Sequence, residues 1–202
     1  MIKAIVYDLD GMVFHAPHYF TEELEKKYGI PITESLFSKD FNYIACNEGK
    51  MTLDEFLAPY YERWRQHEKF NLSFEEAKQE WFDFSKIDPK MINFTKKLKK
   101  QGIVNVIATN NTRERIAYLR EKYDLDETFE VIGSFDLGVM KPAKEYFLKV
   151  MDKLKLKPEE VLYYDDKEST IAKLKEFGFD AVVYRDMDGF KKDLEERKNK
   201  IK

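Results

Sequence analysis

The sequence predicts an α/β fold: a parallel sheet with helices on both faces and a small helical subdomain inserted after the first strand. Two observations carry that prediction. From about residue 90 onward, short apolar runs alternate with segments whose apolar residues recur at helical spacing. Between residues 15 and 88 only the helical spacing is present. The chain is therefore expected to divide into a core, 1–14 with 89–202, and a helical insert, 15–88.

The elements follow in order. Ile2 to Tyr7 is an apolar run ending at Asp8 and Asp10 and bounded by Gly11, the pattern of a buried strand. In the insert, Thr21-Glu22-Glu23-Leu24 opens a helix that Gly29-Ile30-Pro31 closes. Thr52 with Glu55 and Ser73 with Glu76 have the spacing of capping boxes. The aromatic residues behind them, Phe56, Tyr60, Trp64, Trp81 and Phe84, are expected to form the insert's own core. Asp88-Pro89 marks the return to the main body. Helices are expected from Met91 to Leu98, from Glu114 to Tyr123 and from Glu145 to Leu154, with another carrying Ile171, Leu174 and Phe177. Strands are expected at 103–108, 129–133, 161–164 and 180–184. The Lys- and Glu-rich tail from Phe190 is expected to be a solvated or fraying helix.

Three of these strands end in polar groups. The first ends in Asp8 and Asp10, the run 103–108 in Thr109 and Asn110, and the run 161–164 in Asp165 and Asp166. A lysine, Lys141, stands between Gly138 and Pro142 in a loop. Parallel neighbouring strands would bring these ends to one edge, where open α/β sheets place their ligands. Four carboxylates, a hydroxyl and a lysine suit Mg²⁺ together with a phosphate group, the acids facing the metal and Thr109 and Lys141 the phosphate oxygens. Taken singly, each cluster is also explained as an Asp-Gly turn, a helix N-cap or a solvated lysine.

With all four motifs in order, Asp8-Leu9-Asp10-Gly11, Ile107-Ala108-Thr109-Asn110, Lys141-Pro142 and Tyr164-Asp165-Asp166, the chain resembles the haloacid dehalogenase superfamily on its phosphatase side. The resemblance covers the first fifteen residues and everything from about residue 90. It implies a three-layer, Rossmann-like core with a helical cap, and a Mg²⁺-dependent phosphatase acting on a small phosphorylated substrate through an aspartyl-phosphate. By the same resemblance Asp8 is the nucleophile and Asp10 the acid and base. Thr109, the Asn110 backbone N–H and Lys141 bind phosphate. The metal is held by Asp8, the Asp10 carbonyl and Asp166, with Asp165 a second acidic ligand or an outer partner. Met12 stands where the family usually has Thr or Val, and Thr170 where many relatives have Asn or Asp. Asp10 favours a phosphatase over a dehalogenase, because a leaving alkoxide needs a proton and a halide does not. A phosphomutase or other phosphotransferase would use the same residues, and a catalytically quiet binding module would share the fold.

Composition sets bounds on partners. The 202 residues carry a net charge of −3, with 43% apolar and 36% charged residues. This balance gives no reason to expect nucleic acid or anionic membrane as a partner. No run approaches a membrane span, and a single cysteine, Cys46, excludes an internal disulfide framework. The first strand begins at once with no signal-peptide pattern, so cytoplasm is the expected location. Nothing in the sequence sets the oligomeric state.

Overall fold

The computed structural model describes residues 1–34 and 40–200. Residues 35–39 of the expected insert lie outside the described residues. Strand β1 (Ala4–Tyr7) leads through a turn to β2 (Phe14–His15), and the insert follows as α1 (Phe20–Tyr28), α2 (Phe41–Asn47), α3 (Leu53–Trp64) and α4 (Phe74–Phe84). β3 (Lys86–Ile87) pairs antiparallel with β2, so the two connections of the insert form one narrow ribbon. Next come α5 (Pro89–Lys100), β4 (Val104–Thr109), α6 (Arg113–Tyr123), α7 (Leu125–Thr128), β5 (Glu130–Gly133), α8 (Ser134–Leu137) and α9 (Lys144–Leu154). The chain ends with β6 (Val161–Asp165), α10 (Glu168–Glu176), β7 (Asp180–Val183) and α11 (Met187–Glu196).

The main sheet runs β5-β4-β1-β6-β7 and every pairing in it is parallel. Its strands are apolar on both faces, as sheets covered by helices on each side require. Ile5, Tyr7, Ile107, Leu162 and Tyr164 face one core, which α5, α6 and α11 cover with residues such as Met91, Leu119 and Phe190. Val6, Val106, Ala108 and Tyr163 face the other, covered by Phe147 and Val150 of α9 and Ile171 and Leu174 of α10. The buried Tyr7 hydroxyl donates to Asn105 Oδ1 at 2.8 Å, and Asn105 Nδ2 donates to the Thr95 carbonyl at 2.9 Å, so neither polar group is stranded. Met12 is fully buried in the first of these cores.

The insert has a core of its own, with Leu24, Phe56, Leu57, Tyr60, Trp64 and Phe82 at its centre. Its helices start as their sequences require. Thr52 and Ser73 each accept the backbone N–H three residues on, and Glu55 and Glu76 bond back to the cap N–H groups. The insert rests on α6: the Leu53 N–H donates to Glu114 at 3.0 Å, and the Tyr118 hydroxyl donates to Asp83 at 2.7 Å. No helix among the described residues is long and apolar enough to cross a membrane.

Two expectations need correction. The tail is not a solvated helix, because Phe190 and Leu194 are 3% and 5% exposed and pack on the sheet. Met187, Phe190 and Leu194 stand at i, i+3 and i+7, a stripe sufficient to dock α11. The Phe190 ring meets Tyr164 edge-on at 4.7 Å. The aromatic stripe of the insert also splits: Phe56, Tyr60 and Trp64 are core, Trp81 is half-buried and packs against that core while lining a cleft, and Phe84 is half-buried and lines the same cleft.

Cys46 is 1% exposed and burial pushes its thiol up to about 12. Reaction needs a thiolate within reach. A thiol reagent such as dithionitrobenzoate is therefore expected to leave Cys46 untouched in the native protein and to label it fully in denaturant. Rapid native labelling would contradict this placement.

Candidate active site

The strand order puts β1 between β4 and β6, so the carboxyl ends of the three strands emerge side by side. Tyr7 pairs with Ile107 and Tyr164, so the following residues Asp8 and Asp165 stand side by side at the strand ends. Asp8, Asp10, Thr109, Asn110, Lys141 and Asp165 line one cavity of about 280 Å³, with Asp166 against the adjoining cleft. Asp8, Asp10, Thr109, Asn110, Lys141, Asp165 and Asp166 are thus all at this edge.

Lys141 is the centre of charge. Its Nζ donates to Asp8 Oδ1 and to Asp165 Oδ2, each at 2.8 Å, and all three side chains are less than a tenth exposed. Burial disfavours the ammonium, but the two carboxylates outweigh it and hold Lys141 charged. Burial pushes the Asp8 carboxyl up to about 6, opposed by Lys141 and reinforced by Asp165. Asn110 fixes the lysine loop to the end of β4. Its Nδ2 donates to the Lys141 carbonyl at 2.9 Å, and the Lys141 N–H donates to Asn110 Oδ1 at 2.8 Å. The cap of α6 falls to Thr112, whose hydroxyl accepts the Arg115 N–H, so Thr109 and Asn110 are not used for capping.

Asp10 has a different partner. Its carboxylate receives Arg115 Nη1 at 2.6 Å and Nη2 at 2.7 Å, and Asn111 Nδ2 at 3.1 Å. Desolvation opposes its charge, but the guanidinium and the Asn111 amide hold the carboxyl below its usual range. Arg115 is 5% exposed and its Nη2 also donates to Ser85 Oγ at 2.7 Å, where α4 ends and the ribbon begins. Asn111 belongs to the polar stretch that ends the 103–108 run and has no role assigned from sequence, and Arg115 is not marked by any motif. The signal available was a cation in the first turn of a helix, where the macrodipole disfavours it.

Among the described residues, Asp8, Asp165 and Asp166 each offer a carboxylate oxygen, all within 4.8 Å of one another. That span is close to twice a hard-cation–oxygen distance of about 2.1–2.4 Å. Asp166 Oδ1 is buried with no hydrogen-bond partner, as a ligand atom facing a metal would be. Both Asp165 oxygens already accept bonds, from Lys141 and from the Lys167 N–H. The set fits a divalent cation. The Asp10 carboxylate does not join it, being turned to Arg115.

Gly11 makes room for this cluster. It adopts φ +91°, and a Cβ there would come 2.5 Å from Asp166 Oδ2. A Gly11→Ala variant is expected to lose about 1–3 kcal/mol of stability in urea unfolding. An unchanged midpoint would contradict this close approach.

The profile of the haloacid dehalogenase-like hydrolases matches residues 2–178. The chain belongs to that family. Among curated relatives, this haloacid dehalogenase-like hydrolase is 28% identical over 187 residues to the phosphorylated carbohydrates phosphatase of Thermotoga maritima, covering 90% of this chain and 84% of the relative. It is 27% identical over 160 residues to bifunctional epoxide hydrolase 2 of Rattus norvegicus, a match spanning 73% of this chain and only 29% of that longer protein. A HAD family enzyme of Bacteroides thetaiotaomicron, solved with magnesium and inorganic phosphate, superposes with a TM-score of 0.74 at 20% identity, covering 92% of this chain and 95% of the other. That likeness is one of fold.

Proposed function

We propose that this haloacid dehalogenase-like hydrolase is a Mg²⁺-dependent phosphatase that cleaves a small phosphomonoester through an aspartyl-phosphate on Asp8. The observation that carries the reading is the buried Asp8–Lys141–Asp165 arrangement beside an acidic cluster with a free buried carboxylate oxygen on Asp166. A nucleophilic carboxylate and a phosphate repel one another. Lys141 lowers that barrier by standing between them. The phosphatase name of the Thermotoga maritima relative supports the same reaction class.

Asp8 Oδ1 accepts both the Leu9 N–H and Lys141, which supports Oδ2 as the attacking atom. Oδ2 bonds to phosphorus as the bond to the leaving alcohol breaks, and Asp10 gives that alkoxide a proton. Water then attacks phosphorus, returns a proton to Asp10, and the acyl-phosphate bond to Asp8 breaks. Thr109 and the Asn110 N–H steady the phosphate oxygens through both steps. Asp8, Asp166 and the Asp10 carbonyl would hold Mg²⁺, with Asp165 anchoring Lys141 beside it. When bound, the ion would neutralise charge on the phosphate oxygens. In its Arg115-bound form Asp10 is ionised, the form that activates water. Delivering a proton to the alkoxide requires it to leave the guanidinium. The insert, residues 15–88, acts as a cap over the core of 1–14 and 89–202, because Tyr43 of α2 reaches the phosphate cavity and Ser85 at the ribbon holds Arg115.

The test is phosphate release from a panel of phosphomonoesters, with and without Mg²⁺. Release that needs the metal and falls by about 10²–10⁴-fold in Asp10→Asn supports the assignment. Metal-independent release, or an Asp10→Asn variant altered only in KM, would overturn it.

A further inference from the structure

We propose that the alcohol portion of the substrate carries a planar aromatic ring, bound in the cleft that adjoins the phosphate cavity. The proposal rests on the phosphatase reading above and goes on to name the leaving group. The cleft has a volume of about 490 Å³, within the range of small-molecule sites. It shares Asp10, Tyr43 and Lys167 with the phosphate cavity, so an ester bound across both would present its bridging oxygen to the acid and base.

Its walls are rings. Phe20 and Trp81 stack with centroids 6.4 Å apart and planes 27° apart, and Phe84 meets Phe20 edge-on at 5.5 Å. Tyr43 completes the lining on the α2 side. Planar faces in this arrangement favour offset or edge-on contact with another aromatic ring.

The polar groups of the cleft argue against a polyol. His18 Nε2 is bonded to Glu23 at 2.9 Å, and Ser85 Oγ accepts from Arg115. Asn111 and Arg115 are both bound to Asp10. Of the remaining charged side chains, Glu22 and Lys167 are exposed at the rim, and Asp166 belongs to the carboxylate cluster that would hold the metal. A hydroxyl-rich leaving group would lose hydration in this cleft with few partners to replace it. An aromatic ring loses nothing of that kind.

The experiment measures kcat/KM on the full chain with Mg²⁺ for benzyl, hexyl and glycerol 3-phosphates, whose leaving alcohols are all unactivated. Benzyl phosphate is expected to exceed each of the others by about tenfold. In Trp81→Leu that preference should collapse toward unity, while Trp81→Phe should retain most of it. Equal values, a preference for the glycerol or hexyl ester, or an undiminished preference in Trp81→Leu would overturn the proposal. Benzyl phosphate is also titrated onto Asp8→Asn while tryptophan fluorescence is followed. Trp64 is only 1% exposed, so Trp81 is the reporter. Saturable quenching without phosphate release from any ester in the wild type would leave the aromatic cleft standing and refute the phosphatase reading. Absence of quenching would refute the cleft whatever the turnover.

Discussion

Asp8→Asn is expected to lower phosphate release by at least about four orders of magnitude, because it removes the attacking oxygen itself. The same variant should fold as well as the wild type. Asp8 is buried beside Asp165, and burial pushes its carboxyl up to about 6, so its ionised form is the unfavourable one inside the protein. An amide of the same shape relieves that cost while Asp165 continues to hold Lys141. The melting temperature is therefore expected to stay within about 4 °C of wild type or to rise. Substantial residual turnover would remove Asp8 from the role of nucleophile. Unfolding of the variant would show that its carboxylate is structural.

Lys141→Ala should fail in both respects. It removes the cation between two carboxylates that are 7% and 4% exposed, leaving uncompensated buried charge. Breaking a buried pair in this way costs about 3–5 kcal/mol. The pH dependence follows from the direction of the shift. Burial and the neighbouring acid raise the Asp8 pKa, and Lys141 opposes them, so its loss raises the folded-state value further. An acid whose folded pKa is raised destabilises the fold once pH rises above its unfolded value of about 3.9. The deficit of Lys141→Ala should then be small in acid, grow as pH rises, and be fully developed above the raised folded pKa. Urea unfolding of wild type and variant across that range reads it directly. Adding Asp8→Asn to Lys141→Ala should recover part of the loss, since one of the two stranded charges is gone. A deficit independent of pH, or no recovery in the double variant, would mean that Lys141 supports the fold by packing alone.

The site was largely legible in the sequence because its residues follow strands buried on both faces. The run 161–164 is apolar throughout and 103–108 is apolar but for Asn105, so their ends are marked by the polar residues that close them, Thr109 and Asp165. Adjacency in space then followed from the parallel order alone. Arg115 was not legible, because it reaches Asp10 from the first turn of α6, and that depends on how the helix crosses the sheet edge. Its pairing bears on mechanism, since it holds the acid and base to the point where the ribbon meets the insert. Phe84 stands outside the insert's core, and Trp81 only packs against it, for a related reason. Helical spacing puts aromatic residues on one stripe, but which end of the stripe another element covers is decided by packing. The docking of α11 depends on Met187, the first residue of an apolar stripe that a tail beginning at Phe190 does not include. Helix α2 is only 7 residues long, too short for a legible apolar period, and is set by its packing against α3.

The most direct measurement is to trap the covalent intermediate. The wild-type chain is mixed with a turned-over ester and Mg²⁺, quenched in acid, reduced with borohydride and mapped by mass spectrometry. Reduction converts an acyl-phosphate on aspartate to homoserine, so the modified residue is identified by its mass. The account predicts homoserine at position 8, dependent on Mg²⁺ and missing from Asp8→Asn. Modification at Asp10 or another acid, or steady phosphate release with position 8 never modified, would contradict it.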